Sequence, residues 1–156
     1  MTWTNGLNED GLQVKFGTDR SEVINQGVTS GEEKVFVYKV TGTDVADTDT
    51  AVPDGDAPFI PAGAFIKDAV FTVQTAFVGA TAVLDLGTKN AAGTNISDAG
   101  IDSLAIGVID ADNDAVVSDG ALIGTVVAVD SYIMATYDTA AFTAGEGTLV
   151  IKYIEA

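Results

Sequence analysis

The sequence predicts an all-β protein, an antiparallel β-sandwich or barrel preceded by an extended N-terminal arm. Short segments rich in β-branched and aromatic residues alternate apolar and polar positions, as strands with one buried face do. Gly, Asp, Asn and Pro separate these segments at intervals of about ten residues. With 47% hydrophobic residues in 156, the chain is apolar enough to bury a core. We therefore expect an arm over residues 1–30 and a β-sandwich domain over residues 31–156.

The arm has turn signals but little hydrophobic periodicity. Only GLQVKFG (11–17) alternates, which places Leu12, Val14 and Phe16 on one side of a single short strand. A strand of this length buries too little surface to be stable alone, so we expect the arm to lie on something else. Trp3 is either an exposed ring or an anchor for a partner's pocket.

Six later segments have the composition and alternation of strands. In the longest, Phe65 to Thr75 alternate so that every second residue from Phe65 shares one face. In the last, Leu149, Ile151 and Tyr153 share a face. The six segments are KVFVYKV (34–40), 59–77 after a Pro-Ala-Gly turn, AVLDLGT (82–88), GALIGTVV (120–127), SYIMATYD (131–138) and GTLVIKYIEA (147–156).

Two polar stretches, 41–58 and 88–100, are predicted to be loops because Gly, Asp, Thr, Asn and Pro dominate them. The segment 101–109 fits two structures. It is either a short helix, with Ser97 or Asp98 as its N-cap, or a strand.

Composition excludes several classes of chemistry. The chain has no histidine and no cysteine, so it lacks a Ser-His-Asp triad, a His-ligated zinc site, a thiolate site and disulfides. Asp68 and Asp85 are the strand carboxylates that could pair, but Lys67 beside Asp68 offers a simpler ionic partner. We therefore expect no enzymatic activity.

A formal net charge of −16, from 23 acidic and 7 basic residues, argues against two kinds of partner. Nucleic acid and anionic lipid both require a basic surface, so neither is expected. No apolar segment follows a basic start, and none approaches the length of a membrane span. The expected product is a soluble protein made in a cytoplasm.

The stretch VIDADNDAVVSDG (108–120) places Asp110, Asp112 and Asp114 at alternate positions, as calcium loops do. In an EF-hand that starts at Asp110, however, Ala115 and Ala121 would stand where glycine and the bidentate glutamate belong. Two interpretations remain. The three aspartates form a different oxygen-rich calcium site, or they form a turn between strands. No other cofactor is expected.

Three segments resemble the decoration or cement proteins of tailed-phage heads, of the podovirus type. They are DGLQVKFG (10–17), FIPAGAFIKDAVFTVQTAFVGATAVLDLGT (59–88) and TYDTAAFTAGEGTLVIKYIEA (136–156), together a little under two fifths of the chain. The first resembles the N-terminal segment of that group. In the second, a Pro-x-Gly-Ala turn enters a strand, and a later strand ends in LDLG. The third joins an AFTAG turn to a closing strand.

This resemblance implies a jelly-roll-like domain on the outer capsid surface of a virion, a homotrimer, and an arm that grips the major capsid protein. It carries over no catalytic residue. The arm residues that we expect to contact the capsid are Trp3, Leu12, Val14, Lys15, Phe16 and Arg20. The alternative function is a receptor- or glycan-binding β-sandwich of a phage fibre or tail, with the clustered aspartates, Tyr132, Tyr137 and Tyr153 as its site.

Overall fold

Nine β-strands and two short 3₁₀ turns account for the regular structure of the described residues. The computed structural model describes residues 4–7, 13–16 and 33–155. The strands are β1 (Thr4–Leu7), β2 (Gln13–Phe16), β3 (Glu33–Thr41), β4 (Phe65–Val78), β5 (Val83–Lys89), β6 (Asn95–Ala105), β7 (Ala115–Val117), β8 (Tyr132–Asp138) and β9 (Ala144–Ile154), and the 3₁₀ turns are Gly42–Asp44 and Ile106–Val108.

The strands fall into two compact units. One, Met1–Glu32, contains β1 and β2, which pair antiparallel with Thr4 opposite Phe16. The sequence predicted one strand here and missed β1, because its Asn5-Gly6 pair is a turn signal rather than a strand signal. The other unit, Glu33–Ala156, contains the remaining strands.

The second unit consists of a four-stranded and a three-stranded antiparallel sheet, which confirms the predicted β-sandwich. Their orders are β3-β9-β4-β7 and β6-β5-β8. This is the order of an eight-stranded jelly roll from which the second strand is missing. Residues 45–64 take the place of that strand, and they form two isolated bridges, Ala46 with Thr136 of β8 and Ile60 with Ser131, which directly precedes β8.

One hydrophobic cluster fills the space between the sheets. The predicted alternation of β3, β5 and β9 is confirmed, since the residues that alternate inward on these strands are buried. The four-stranded sheet contributes Phe36, Val40, Ile66, Ala69, Phe71, Val73, Phe77, Leu149, Ile151 and Tyr153, and the three-stranded sheet Leu84, Leu86, Ile101, Leu104, Ile133 and Ala135.

Strand β4 does not keep the strict alternation predicted for it. Phe65 and Lys67 face outward, whereas Ala69, Phe71 and Val73 face the core. Its register against β9 shifts after Ile66 and again after Val73. Each extra residue changes which side chains point inward, and such bulges leave no signal in the hydrophobic pattern.

Two other element predictions are wrong. Residues 88–100 are not a long loop: β5 continues to Lys89, a tight turn follows at residues 90–94, and β6 begins at Asn95. Residues 120–127 are mainly turns, and the nearby strand is β7 at 115–117. The ambiguous segment 101–109 is mostly strand, and only its last residues form a 3₁₀ turn. Among the described residues, no helix has the length and apolarity needed to cross a bilayer.

Candidate functional site: an apolar sheet face on an acidic domain

A row of four valines crosses the outward face of the four-stranded sheet. Val37 of β3 pairs with Val150 of β9, which pairs with Val70 of β4, which pairs with Val117 of β7. Directly paired residues of an antiparallel sheet project on the same side, so the four side chains form one continuous line. The two outer members are well exposed, Val37 at 56% and Val117 at 72%.

The neighbouring rows extend this apolar line and give it polar borders. On one side lie Val35, 57% exposed, and the Lys152–Asp68 pair. On the other side, Lys39 pairs with Thr148 of β9. We call this surface the valine face, and define it by Val35, Val37, Val70, Val117 and Val150 together with the charged and hydroxyl residues that border them.

Ion pairs hold two of the lysines at the border of the valine face. Lys67 Nζ lies 2.6 Å from Glu33 Oε2, and Lys152 Nζ lies 3.8 Å from Asp68 Oδ1. The hydrogen bond from Lys67 lowers the pKa of the Glu33 carboxyl, and the same bond raises the pKa of Lys67. The sequence had paired Lys67 with Asp68. In the structure each carboxylate instead pairs with a lysine from another strand or segment of the sheet, Glu33 with Lys67 and Asp68 with Lys152, and the register of β4 shifts between Ile66 and Asp68.

The valine face is balanced in charge, whereas the rest of the domain is strongly acidic. Residues 33–155 contain 18 acidic residues and 5 lysines. Three of each border the face, so 15 acidic residues and 2 lysines lie elsewhere in this part of the chain. The three of each are Glu33, Asp68 and Glu146 with Lys39, Lys67 and Lys152.

On the three-stranded sheet, acidic side chains lie near one another instead of being balanced by lysines. Burial raises the pKa of Asp85, a hydrogen bond from the Ser103 hydroxyl (2.6 Å) opposes that shift, and the charges of Asp98 and Asp138 add to it. Asp85 therefore lies among like charges on one sheet, while Asp68 lies on the other sheet. The two strand carboxylates considered as a pair from the sequence do not come together.

The segment that replaces the missing strand is held by a partly buried ion pair. Lys89 Nζ of β5 lies 2.7 Å from Asp49 Oδ1, and the lysine side chain is only 8% exposed. Burial, with a smaller contribution from the Asp49 charge, raises the pKa of Tyr38 beside it. A cleft of about 570 Å³ between the end of β3 and residues 44–51 contains Tyr38 and Asp49. Because the carboxylate and the ammonium neutralise each other here, we interpret the pair as an anchor for residues 45–64.

Of the six arm residues predicted to contact the capsid, three lie among the described residues. Val14, Lys15 and Phe16 lie on β2, opposite Gly6, Asn5 and Thr4 of β1. Trp3, Leu12 and Arg20 lie outside the described residues. The role of all six in capsid contact stays a prediction.

The aspartate stretch supports the backbone of β4. Asp112 Oδ1 accepts a hydrogen bond from the Ala76 amide (2.6 Å), and the backbone of Asn113 and Asp114 bonds to Val73 on both sides. Asn113 adopts a left-handed φ of 65°, which asparagine tolerates in turns. Within residues 33–155, no three acidic side chains are grouped as a metal ion would require. A calcium site at Asp110, Asp112 and Asp114 stays a prediction.

The three tyrosines proposed for a glycan site do not form one surface. Tyr153 is 8% exposed and belongs to the core. Tyr132 stacks against Phe59, with ring centroids 5.3 Å apart. Tyr137 lies five positions away on the same strand, so its side chain projects from the opposite side of the sheet.

The valine face was missed because strand pairing, rather than local sequence, assembles it. A local signal was nevertheless present. In KVFVYKV, valines alternate with Phe36, Tyr38 and Val40, so both sides of the strand are apolar. A strand at the edge of a sandwich with two apolar sides has one side that the core does not cover.

Comparison with known proteins gives structural neighbours only. No protein-family model and no curated protein matches the sequence. A chain in the capsid of Ralstonia phage GP4 superposes with a TM-score of 0.53 and 14% identity, over 81% of this chain and 86% of that chain. A chain in the cyanophage Pam1 capsid asymmetric unit superposes with a TM-score of 0.51 and 18% identity, over 83% and 89%. At these identities the likeness shows a shared fold.

Proposed function

We propose that this protein is a structural component of a phage virion, which binds the outer surface of the capsid and stabilises the shell as decoration proteins do. The observation that carries the proposal is the fold. A jelly roll that lacks its second strand superposes over about four fifths of its length on chains from two phage capsids. Both segments of the domain that resemble decoration proteins lie in its sheets, one over β4 and β5 and the other over the end of β8 and β9.

The acidity of the domain favours the outer surface over the inner one. The inner surface of a filled capsid faces DNA, whose phosphates repel carboxylates. Outside the valine face, acidic residues outnumber lysines 15 to 2 in residues 33–155. A protein of this charge is better suited to the outside of the shell.

The arm is the part that we assign to capsid contact, and the major capsid protein is its partner. Residues 1–30 hold aromatic, aliphatic and basic side chains in a segment with little periodicity. A segment that orders on binding can cover a wide surface, although ordering costs entropy. The sandwich domain would then lie outside the shell as a homotrimer.

Replacement of Trp3 and Phe16 by alanine in the full chain is expected to abolish decoration of empty capsids. Large aromatic anchors dominate most interfaces, so loss of two should weaken binding at least a hundredfold. Cosedimentation of the protein with undecorated shells measures occupancy, and thermal melting verifies the fold. Deletion of residues 1–20 is expected to have the same effect.

The matched control is Val52→Ala, a truncation at a side chain that is 67% exposed in the sandwich domain. It should decorate shells as the unmodified protein does. Full occupancy by the protein that lacks residues 1–20 would refute the role of the arm. Failure of the unmodified protein to bind any shell, at concentrations where it is folded, would refute the proposed function.

A further inference from the structure

We propose that the valine face is the surface through which copies of this chain associate. The inference depends on the self-association included in the proposed function and is independent of capsid binding. Its basis is the line of Val37, Val150, Val70 and Val117 across all four strands of one sheet. Scattered exposed valines need no explanation, but a line that spans a whole sheet leaves a continuous apolar strip in water.

Charge identifies a second copy as the occupant. Two copies, each of net charge −16, repel one another over most of their surfaces. At the valine face, three lysines balance three acidic residues, so two copies can approach there without net repulsion. Both ends of the face carry both signs. Glu33 and Lys67 lie at one end, and Lys39 and Glu146 at the other.

The edge strands of the four-stranded sheet also favour a second copy of this chain as the partner. Strand β7, at one edge of the sheet, has only three residues. Strand β3, at the other edge, pairs with β9 over nine consecutive positions without a bulge. Long, regular edge strands with apolar side chains are the ones that associate with other chains. Val35 and Val37, both more than half exposed, lie on this edge strand and on the valine face at once.

The dimensions of the face are sufficient for a specific contact. Strand spacing and rise give a surface of roughly 500 Å² on each copy, or roughly 1,000 Å² in total. That total is at the lower limit for a specific interface. The valine face is therefore expected to bring copies together in a reversible, concentration-dependent way.

The test is the oligomeric state of the full chain by sedimentation velocity, over a range of protein concentrations. The unmodified protein should sediment as an oligomer of the 16.0 kDa chain. The Val37→Asp, Val117→Asp variant should sediment as a monomer, or require at least a hundredfold higher concentration to associate. Both side chains are exposed, so the melting temperature of the monomeric variant should stay within a few degrees of that of the unmodified protein.

Two further variants separate apolar contact from added charge. Val52→Asp, Val129→Asp adds the same charge at exposed valines outside the face and should remain an oligomer. Val37→Thr, Val117→Thr adds no charge and should weaken association about tenfold. A monomeric unmodified protein, or a Val37→Asp, Val117→Asp variant that remains an oligomer, would overturn the inference. Neither result depends on shell decoration, so the capsid-binding experiment can succeed or fail separately.

Discussion

At the scale of single residues, a few buried side-chain oxygen atoms of the domain lack hydrogen-bond partners. Within the described residues, Asp102 Oδ2, Ser118 Oγ and Thr88 Oγ1 are buried and have no hydrogen-bond partner. Asp102 lies on β6 with 5% exposure, and its other oxygen accepts a hydrogen bond from the Ser103 amide (2.8 Å). Burial raises the pKa of this carboxyl above its ordinary 3.8, mainly because its charge is desolvated. Ionised Asp102 therefore opposes folding at neutral pH.

Asp102→Asn is expected to stabilise the protein at pH 7 by about 1 kcal/mol, since it removes a charge whose desolvation opposes folding. Well below pH 3.8, Asp102 is protonated in both states, so the advantage should vanish there. The advantage should grow as the pH rises through the raised pKa, where the folded carboxyl must lose its proton. Urea unfolding of both proteins at several pH values measures this difference.

The control for this prediction is Asp56→Asn, which removes one charge from an exposed turn. Because Asp56 is exposed, this substitution should change the free energy of unfolding only slightly. An Asp102→Asn protein less stable than the unmodified one at pH 7 would contradict the interpretation.

At the same scale, the sequence could predict residue types at core positions but not their partners. Leu149, Ile151 and Tyr153 were correctly assigned to one face because alternation is a local property. The Lys67–Glu33 and Lys89–Asp49 pairs join residues 34 and 40 positions apart. Nothing in the neighbouring sequence of either lysine indicates that partner.

At the scale of elements, the pairing of β5 with the irregular part of β6 depends on a glycine. A β-carbon at Gly87 would lie 1.9 Å from the backbone oxygen of Asp98 and 2.1 Å from that of Ser97. The register of β6 against β5 shifts at this point, and the displaced residues of β6 lie over Gly87. Only a residue without a side chain permits so close an approach of two backbones.

Gly87→Ala is expected to destabilise the domain by about 3 kcal/mol or to prevent folding, because backbone atoms cannot move aside as side chains can. Gly55→Ala is the control, since no atom lies within 4 Å of the β-carbon that it would add. Denaturant unfolding of the two variants gives the comparison. Equal stabilities would show that the backbone of Ser97 and Asp98 does not approach Gly87 this closely.

The elements that the sequence predicted well are β3, β5 and β9, in which inward and outward residues alternate, and β8, in which Ile133 to Thr136 are all buried. It failed where a bulge or a turn changes the period, in β4 and in residues 120–127. The polar residues at the start of β6, 95–100, were predicted to be part of a loop, although pairing with β5 holds them in a strand. Polar composition resembles a loop until the partner strand is known.

At the scale of the whole molecule, net charge sets the response to salt. A charge of −16 destabilises a compact chain through self-repulsion, which salt screens. We expect NaCl, MgCl₂ and CaCl₂ at matched ionic strength to raise the melting temperature alike. Differential scanning calorimetry measures the three curves. A rise specific to calcium, lost in Asp110→Asn, Asp114→Asn, would instead establish the metal site predicted from the sequence.

The fold class was predictable because turn spacing and alternation suffice for an antiparallel sandwich. The valine face was not, because it needs three register assignments across four strands that are distant in sequence. Val117 illustrates the difference. Locally it belongs to an acidic turn region, yet the sheet places it at the end of an apolar line.

The central position of β9 also determines when the domain can fold. β9 lies between β3 and β4, and its pairing with β3 joins Glu33 to Ile154, residues 121 positions apart. Neither β3 nor β4 has its main neighbour until β9 has left the ribosome, after every other described strand of the domain. Distant pairing of this kind makes folding slow, and it postpones cooperative folding until synthesis of the domain is complete. A nascent chain would therefore present the valine face to other copies only after β9 is in place.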